Sequence, residues 1–274
     1  LDYIGATIVG SKMLREKGIR FLGYLGGNSD DATLIGFGRR TNLERAVYVN
    51  GLSSHVAEMD DGVRFGMMHP GAPIFSALLP VAEFEKVSGG AFVSGVVTGY
   101  EAAIRLSRAL QPSHYNRGFH PTGTCGVVGA AAGIAAMLRF DPVQMKNAIS
   151  SAVVSSHGTL KVLEDASDLK PSNVARAAYG GLIAATMARS GFSGPSDALS
   201  GQTSMCSMMA DSCDRSPLIA DAQEPFSIGK VYFKPYAACR HAHPSIEAVL
   251  QICDQHSFET HEIETITITT YESV

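Results

Sequence analysis

At 274 residues, 45% hydrophobic and 18% charged, with a formal net charge of -4, the chain can bury a sizeable core as a globular protein. Its charges are scattered, with no basic stripe of the kind that tracks a phosphate backbone, which argues against a nucleic-acid partner. The longest weakly polar stretch, Gly123 to Leu138, falls short of the ~20 residues that a bilayer core requires, so no membrane partner is expected. Five cysteines without a CxxC pair argue against a disulfide framework and for a cytoplasmic protein.

In chain order, the first residues, Leu1-Asp2-Tyr3-Ile4-Gly5, carry neither an initiator methionine nor a targeting pattern and read as mid-chain. From residue 43, Ala, Leu, Val and Ile recur at three- and four-residue spacing. This periodicity predicts helices over 43–60, 73–88, 91–110, 121–138, 142–155, 171–190 and 244–255, and so a mainly α fold. Pro73, Pro121, Pro142, Pro171 and Pro244 stand at the expected starts, where a missing amide hydrogen costs nothing. The small residues of GVVGAAAGIAA and ARAAYGGLIAATMA point to buried helices in close contact. Gly126 to Gly133 follows no strand, which argues against a dinucleotide fingerprint. Residues 195–230, rich in Ser, Asp, Gly and Pro, read as turns and one-turn helices. Glu264 to Tyr271 alternates Thr with Ile and reads as a strand, which requires partners to be stable.

The chemistry concentrates at three places. Five of the twelve prolines directly follow His or Lys (His69-Pro70, His120-Pro121, Lys170-Pro171, Lys234-Pro235 and His243-Pro244), where chance allows fewer than one. A proline that opens a helix sets the preceding basic side chain beside the free amides and positive dipole end of the first turn, a corner suited to a carboxylate. Pro70, followed by Gly71 and Pro73, is the most turn-like of the five. A second stretch, Asn50 to Gly62, puts His55 on one helical face with Glu58 or Met59, and sets Asp60 and Asp61 at the helix end, where carboxylates oppose the dipole. The third runs from Lys234 through Cys239, Arg240 and His241 to His243. Its Cys-x-His-x-His alternation resembles a metal site, but Lys234 and Arg240 would repel a cation, and no metal is expected.

NGLSSHVAEMDDG with HPG, RGFHPTGTCG, DLKPSNVARAA and FKPYAACRHAHPSIEA, in this order and spacing, resemble the MmgE/PrpD family. The resemblance implies a cofactor-free enzyme acting on small polycarboxylates, as 2-methylcitrate dehydratase, cis-aconitate decarboxylase and iminodisuccinate epimerase do, and a homodimer. It also implies a large helical-bundle domain over residues 1–230 and the beginning of an α+β lid over 231–274. His69, His120, Lys170 and Lys234 fall on the family's pocket positions. Glu58 stands near its acidic residue, Gly62 replaces a Thr, and Cys239 falls near a final His, with His241 and His243 close by. On this likeness Lys170, Lys234 and Arg240 grip substrate carboxylates, with Glu58 and His241 also on the substrate side. His69 and His120 transfer protons, while Asp60 or Asp61 orients a histidine or binds a substrate hydroxyl. The expected reaction is a dehydration of the 2-methylcitrate type, with epimerisation or decarboxylation as alternatives. Outside the family, the alternatives are a metal-dependent hydrolase using His55, Asp60, Asp61 and His69, with the Cys239 cluster as a further source of ligands, and a non-catalytic helical binding protein.

Overall fold

The computed structural model describes residues 1–26, 29–164, 167–219 and 224–269. The fold is mainly α. Residues 1–41, given no element above, form α1 (Asp2–Met13), α2 (Arg15–Leu25) and an antiparallel hairpin, β1 (Ala32–Leu34) paired with β2 (Arg39–Thr41). Then follow α3 (Leu43–Val56), α4 (Gly71–Glu85), α5 (Gly89–Leu110), the one-turn α6 (Ser113–Asn116) and α7 (Pro121–Thr124), α8 (Gly126–Met137), α9 (Pro142–Val154), α10 (Lys170–Arg189), α11 (Met205–Met209) and α12 (His243–Gln255).

Local chemistry sets many of these boundaries. Asn42 and Ser88 cap α3 and α5 by accepting the amides of Arg45 and Ala91. Asp141 opens α9 in a capping box with Gln144, and Pro142 takes the first turn. Three expected boundaries move. The helix expected over 43–60 stops at Val56, because Glu58 adopts a left-handed φ of 55° that no α-helix continues. The one over 121–138 breaks at Cys125 into α7 and α8. The one expected from Pro73 begins at Gly71, with Pro70 as its N-cap, so that the His69-Pro70 pair does open a helix.

The core is built around α8. Its residues from Gly126 to Ala135 are all buried, with α5 packed on it and α10 beside it. Small side chains permit that approach: a Cβ on Gly95 of α5 would stand 2.7 Å from the Gly133 carbonyl oxygen of α8. Around this seam the fully buried Ile74, Leu78, Ile104, Leu110 and Ile134 each contribute about 1.5–3 kcal/mol of hydrophobic stabilisation. α3 lies against α10 and α4, and α1 lies against α3.

Beyond residue 230 the described residues make one backbone return to the bundle, an antiparallel bridge in which Gly62 and Tyr232 exchange both hydrogen bonds (3.0 and 2.8 Å). Gly62 is required there, since a Cβ would sit 2.4 Å from the Tyr232 ring. α12 buries none of its residues. The strand expected over Glu264–Tyr271 is not formed across 264–269, where no second strand lies alongside among the described residues; 270 and 271 lie outside them.

Candidate active site

Asp60 and Asp61 lie in the loop between α3 and α4, not at a helix C-terminus, and both are buried. The conflict with the dipole expected for them is therefore absent. Asp61 instead accepts the Gly71 amide (2.9 Å) at the positive end of α4 and the Tyr100 hydroxyl (2.7 Å). The same bond corrects the expectation of a vacant anion corner at His69-Pro70, because the protein's own carboxylate occupies it. Burial, only partly opposed by those two donors, pushes the Asp61 carboxyl up to about 7. Asp60 accepts from Nδ1 of the fully buried His55 at 2.7 Å. Burial works against the Asp60 charge, but His55, His69 and Lys234 outweigh it and hold the carboxyl well below the usual range.

Three imidazoles gather over this loop. The His55 ring centroid lies 5.2 Å from that of His69 and 6.0 Å from that of His120. Their hydrogen bonds fix complementary tautomers. His69 Nδ1 lies 2.6 Å from the Asp61 carbonyl, which only accepts, so His69 carries its proton on Nδ1 and a lone pair on Nε2. His120 Nδ1 lies 3.1 Å from Asn173 Nδ2, whose orientation is fixed by its bond to the Thr159 carbonyl (3.2 Å). That nitrogen donates, so His120 Nδ1 accepts and neutral His120 carries its proton on Nε2. Burial lowers both histidines, His69 to about 4 and His120 well below its ordinary value, so both are neutral at pH 7.

Two lysines complete the cluster. Lys170 opens α10 and pairs with the Glu58 carboxylate. Lys234, whose side chain is 1% exposed, donates to the Glu58 carbonyl (2.9 Å) and lies 3.7 Å from its Oε2. Burial disfavours the Glu58 charge, yet His55, Lys170 and Lys234 together keep its pKa below the ordinary value. Lys170 acts electrostatically on His120, and Lys234 on Asp60 and His69, so the lysines and the histidines form one charge system.

His69, His120, Asp60, Asp61, Lys170, Lys234 and Glu58 are thus brought together. Arg240 stands one ring removed, its guanidinium 5.4 Å over Tyr232. His241 is not brought in: it is exposed and borders an apolar groove of about 760 Å³ between α12 and residues 262–269. None of His55, His69 and His120 lines that groove. A cavity of about 730 Å³, lined by Asp60, Asp61, Tyr100, Phe75 and Phe233 among others, adjoins the acidic side of the cluster. In the Cys239, His241 and His243 alternation, His243 Nε2 is 3.2 Å from the Ala238 carbonyl, and no grouping of three potential ligands is present among the described residues.

Asn173 and Tyr100 were not anticipated as site residues. Asn173 stands three residues after Lys170, one helical turn along the same face, which was its available signal. Tyr100 looks like any core tyrosine of a long helix. His55 stands inside the first motif, and its bond to Asp60 and its ring contacts with His69 and His120 place it in the cluster.

The helical bundle thus gathers three imidazoles, three carboxyl groups and two ammonium groups around one loop, with Lys234 buried and Lys170 partly exposed. The chain belongs to the MmgE/PrpD family, whose N-terminal domain model matches residues 1–217. It is 28% identical over 170 residues to the cis-aconitate decarboxylase-like protein oryM of Aspergillus oryzae, covering 59% of this chain and 35% of that one. It is 29% identical over 154 residues to the human cis-aconitate decarboxylase and 27% over 158 to that of Mus musculus, in each case 54% of this chain and 31% of the relative. The chain therefore spans about a third of the length of these curated relatives.

Proposed function

We propose that this site eliminates water from a small hydroxy-di- or tricarboxylate, a dehydration of the 2-methylcitrate type. The observation that carries the reading is the tautomer pair: a neutral imidazole with a free lone pair (His69) beside one with a free N–H (His120). Elimination needs both. His69 Nε2 takes the proton from the carbon next to a carboxylate, and the electron pair moves onto that carboxylate, where Lys170 and Lys234 stabilise the charge. The pair then returns to form the double bond as the C–O bond breaks, and the departing hydroxide takes the His120 Nε2 proton and leaves as water. Asp60 holds His55 against both rings, and Asp61 holds His69 through its carbonyl. Arg240, on Tyr232, stands where it meets a more distant carboxylate.

A second reading, decarboxylation, is favoured by the names of the relatives, all cis-aconitate decarboxylases or decarboxylase-like. It uses the same carboxylate grip and a single proton donor, leaving the His69 lone pair without a task. Epimerisation would use the pair with the acid and base on opposite faces. To the same proposal belong a lid beginning at residue 231, a homodimer and a cytoplasmic setting; no described helix is long and apolar enough to cross a membrane.

The test is incubation with citrate, 2-methylcitrate, cis-aconitate and malate in D2O, followed by proton NMR. Alkene appearance with solvent deuterium exchange is expected, falling about 10²–10⁴-fold in both His69→Gln and His120→Gln. Loss of carbon dioxide from cis-aconitate, retained in His69→Gln, would establish the second reading instead. Wild-type rates in both variants would remove the two histidines from the chemistry.

A further inference from the structure

Glu58 is the least expected member of the cluster. It is an acid in a site read as gripping acids, and it occupies both ammonium groups that a substrate carboxylate requires. Its Oε1 pairs with Lys170, its Oε2 lies 3.7 Å from Lys234, and its own carbonyl takes the Lys234 hydrogen bond at 2.9 Å. It does so from a left-handed φ of 55°, a conformation unfavourable for a residue with a long side chain. The two lysines enter from distant parts of the chain, the first residue of α10 and the segment after Tyr232, and their ammonium groups converge on this one side chain. The Glu58 side chain is 28% exposed, whereas that of Lys234 is 1% exposed. The acid therefore has water to move into, and the buried lysine does not.

We propose that Glu58 is a resident counter-ion, taking the place of a substrate carboxylate between turnovers and swinging towards solvent when the substrate arrives. This deepens the polycarboxylate reading above and rests on it. Glu58 keeps the buried Lys234 compensated between turnovers, since an unpaired ammonium at that depth is costly. It also imposes a selection. A ligand with a single carboxylate exchanges one ion pair for an equal one and gains little. A ligand with two or three carboxylates can occupy both lysines and still place a further carboxylate towards Arg240. The resident acid thus raises the number of carboxylates that a ligand must carry to bind.

The experiment is calorimetric titration of the wild-type protein, Glu58→Gln and Glu58→Asn with tricarballylate, which has three carboxylates and no hydroxyl to eliminate, and with propionate. Asn tolerates the left-handed backbone and keeps the test open should Gln fold poorly, with thermal melting as the control. The wild type should bind tricarballylate and reject propionate. Both variants should bind tricarballylate about tenfold more tightly and propionate by a larger factor, narrowing the ratio between them. A wild type that binds tricarballylate, with variants that bind it equally or more weakly, would overturn the counter-ion role and leave the polycarboxylate reading in place. Failure of every form to bind either acid would sink both.

Discussion

At the scale of single residues, the site works by pushing neighbouring groups away from their ordinary titration ranges, and the two sides of that effect oppose one another. His69 is lowered to about 4, so as pH falls from 6.5 towards 4 the unfolded chain takes up a proton that the folded chain refuses, and stability is lost. Asp61 is raised to about 7, so as pH falls from 7 towards 3.8 the folded chain takes up a proton that the unfolded chain refuses, and stability is gained. Asp60, held low, contributes stability that is present above 3.8 and lost only below it, outside this window. The first two contributions largely offset one another between pH 6.5 and 4, so the fall in urea unfolding midpoints across that interval comes from His120 and His114, which burial also holds below their ordinary value. Asp61→Asn removes the counterweight, so its stability should decline by about 3 kcal/mol more than that of the wild type across the same interval. A decline no steeper than that of the wild type would show that the folded chain does not take up a proton at Asp61. The X-Pro pairs made His69, His120 and Lys170 legible in the sequence, because proline fixes where a first helical turn lies; Lys234-Pro235 lies in a stretch of bends and opens no helix, contrary to the expectation for the five pairs, so Lys234 was legible only through the family motif. The roles of Tyr100 and Asn173 were not legible, because each is defined by a partner far away in the chain, Asp61 and His120.

At the scale of elements, helices α5 and α8 meet through glycine, and the fit is tight enough to reverse the usual effect of replacing it. Alanine is the better helix former by about 1 kcal/mol in a helix interior, yet at Gly95 its methyl would meet the Gly133 oxygen and the Met137 Cβ, both at 2.7 Å. Gly95→Ala should therefore cost about 1–3 kcal/mol in urea unfolding. Gly90→Ala, in the same helix with nothing within 4 Å, should be neutral or slightly stabilising. Equal effects at the two positions would mean that the seam relaxes freely. α3 to α5, α7 to α10 and α12 were legible from periodicity, several of them with an opening proline, whereas the one-turn α6 was not. α1 was not, because its apolar residues mislead: Ile4, Ile8, Val9 and Met13 are exposed while Tyr3, Ala6, Thr7, Gly10 and Ser11 face the bundle. The early end of α3 was equally hidden, since the Glu58 conformation that stops it is held by lysines 112 and 176 residues further on.

At the scale of the whole molecule, the site draws on the α3–α4 loop, the starts of α7 and α10, and the segment that returns after residue 230. The order of the motifs along the chain carried the family, but their convergence is a product of tertiary packing alone. Asp61 sits where the two meet. Its carboxylate ties the start of α4 to Tyr100 of α5, while its carbonyl sets the direction of the His69 ring. The spacing of two core helices and the aim of one imidazole are therefore mechanically joined through a single residue. Warming loosens packing before it melts the bundle, so turnover should fail several degrees below the midpoint of the circular-dichroism transition, and return fully on cooling if that midpoint was never reached. Coincident loss of rate and ellipticity would mean that the ring keeps its aim until the chain unfolds.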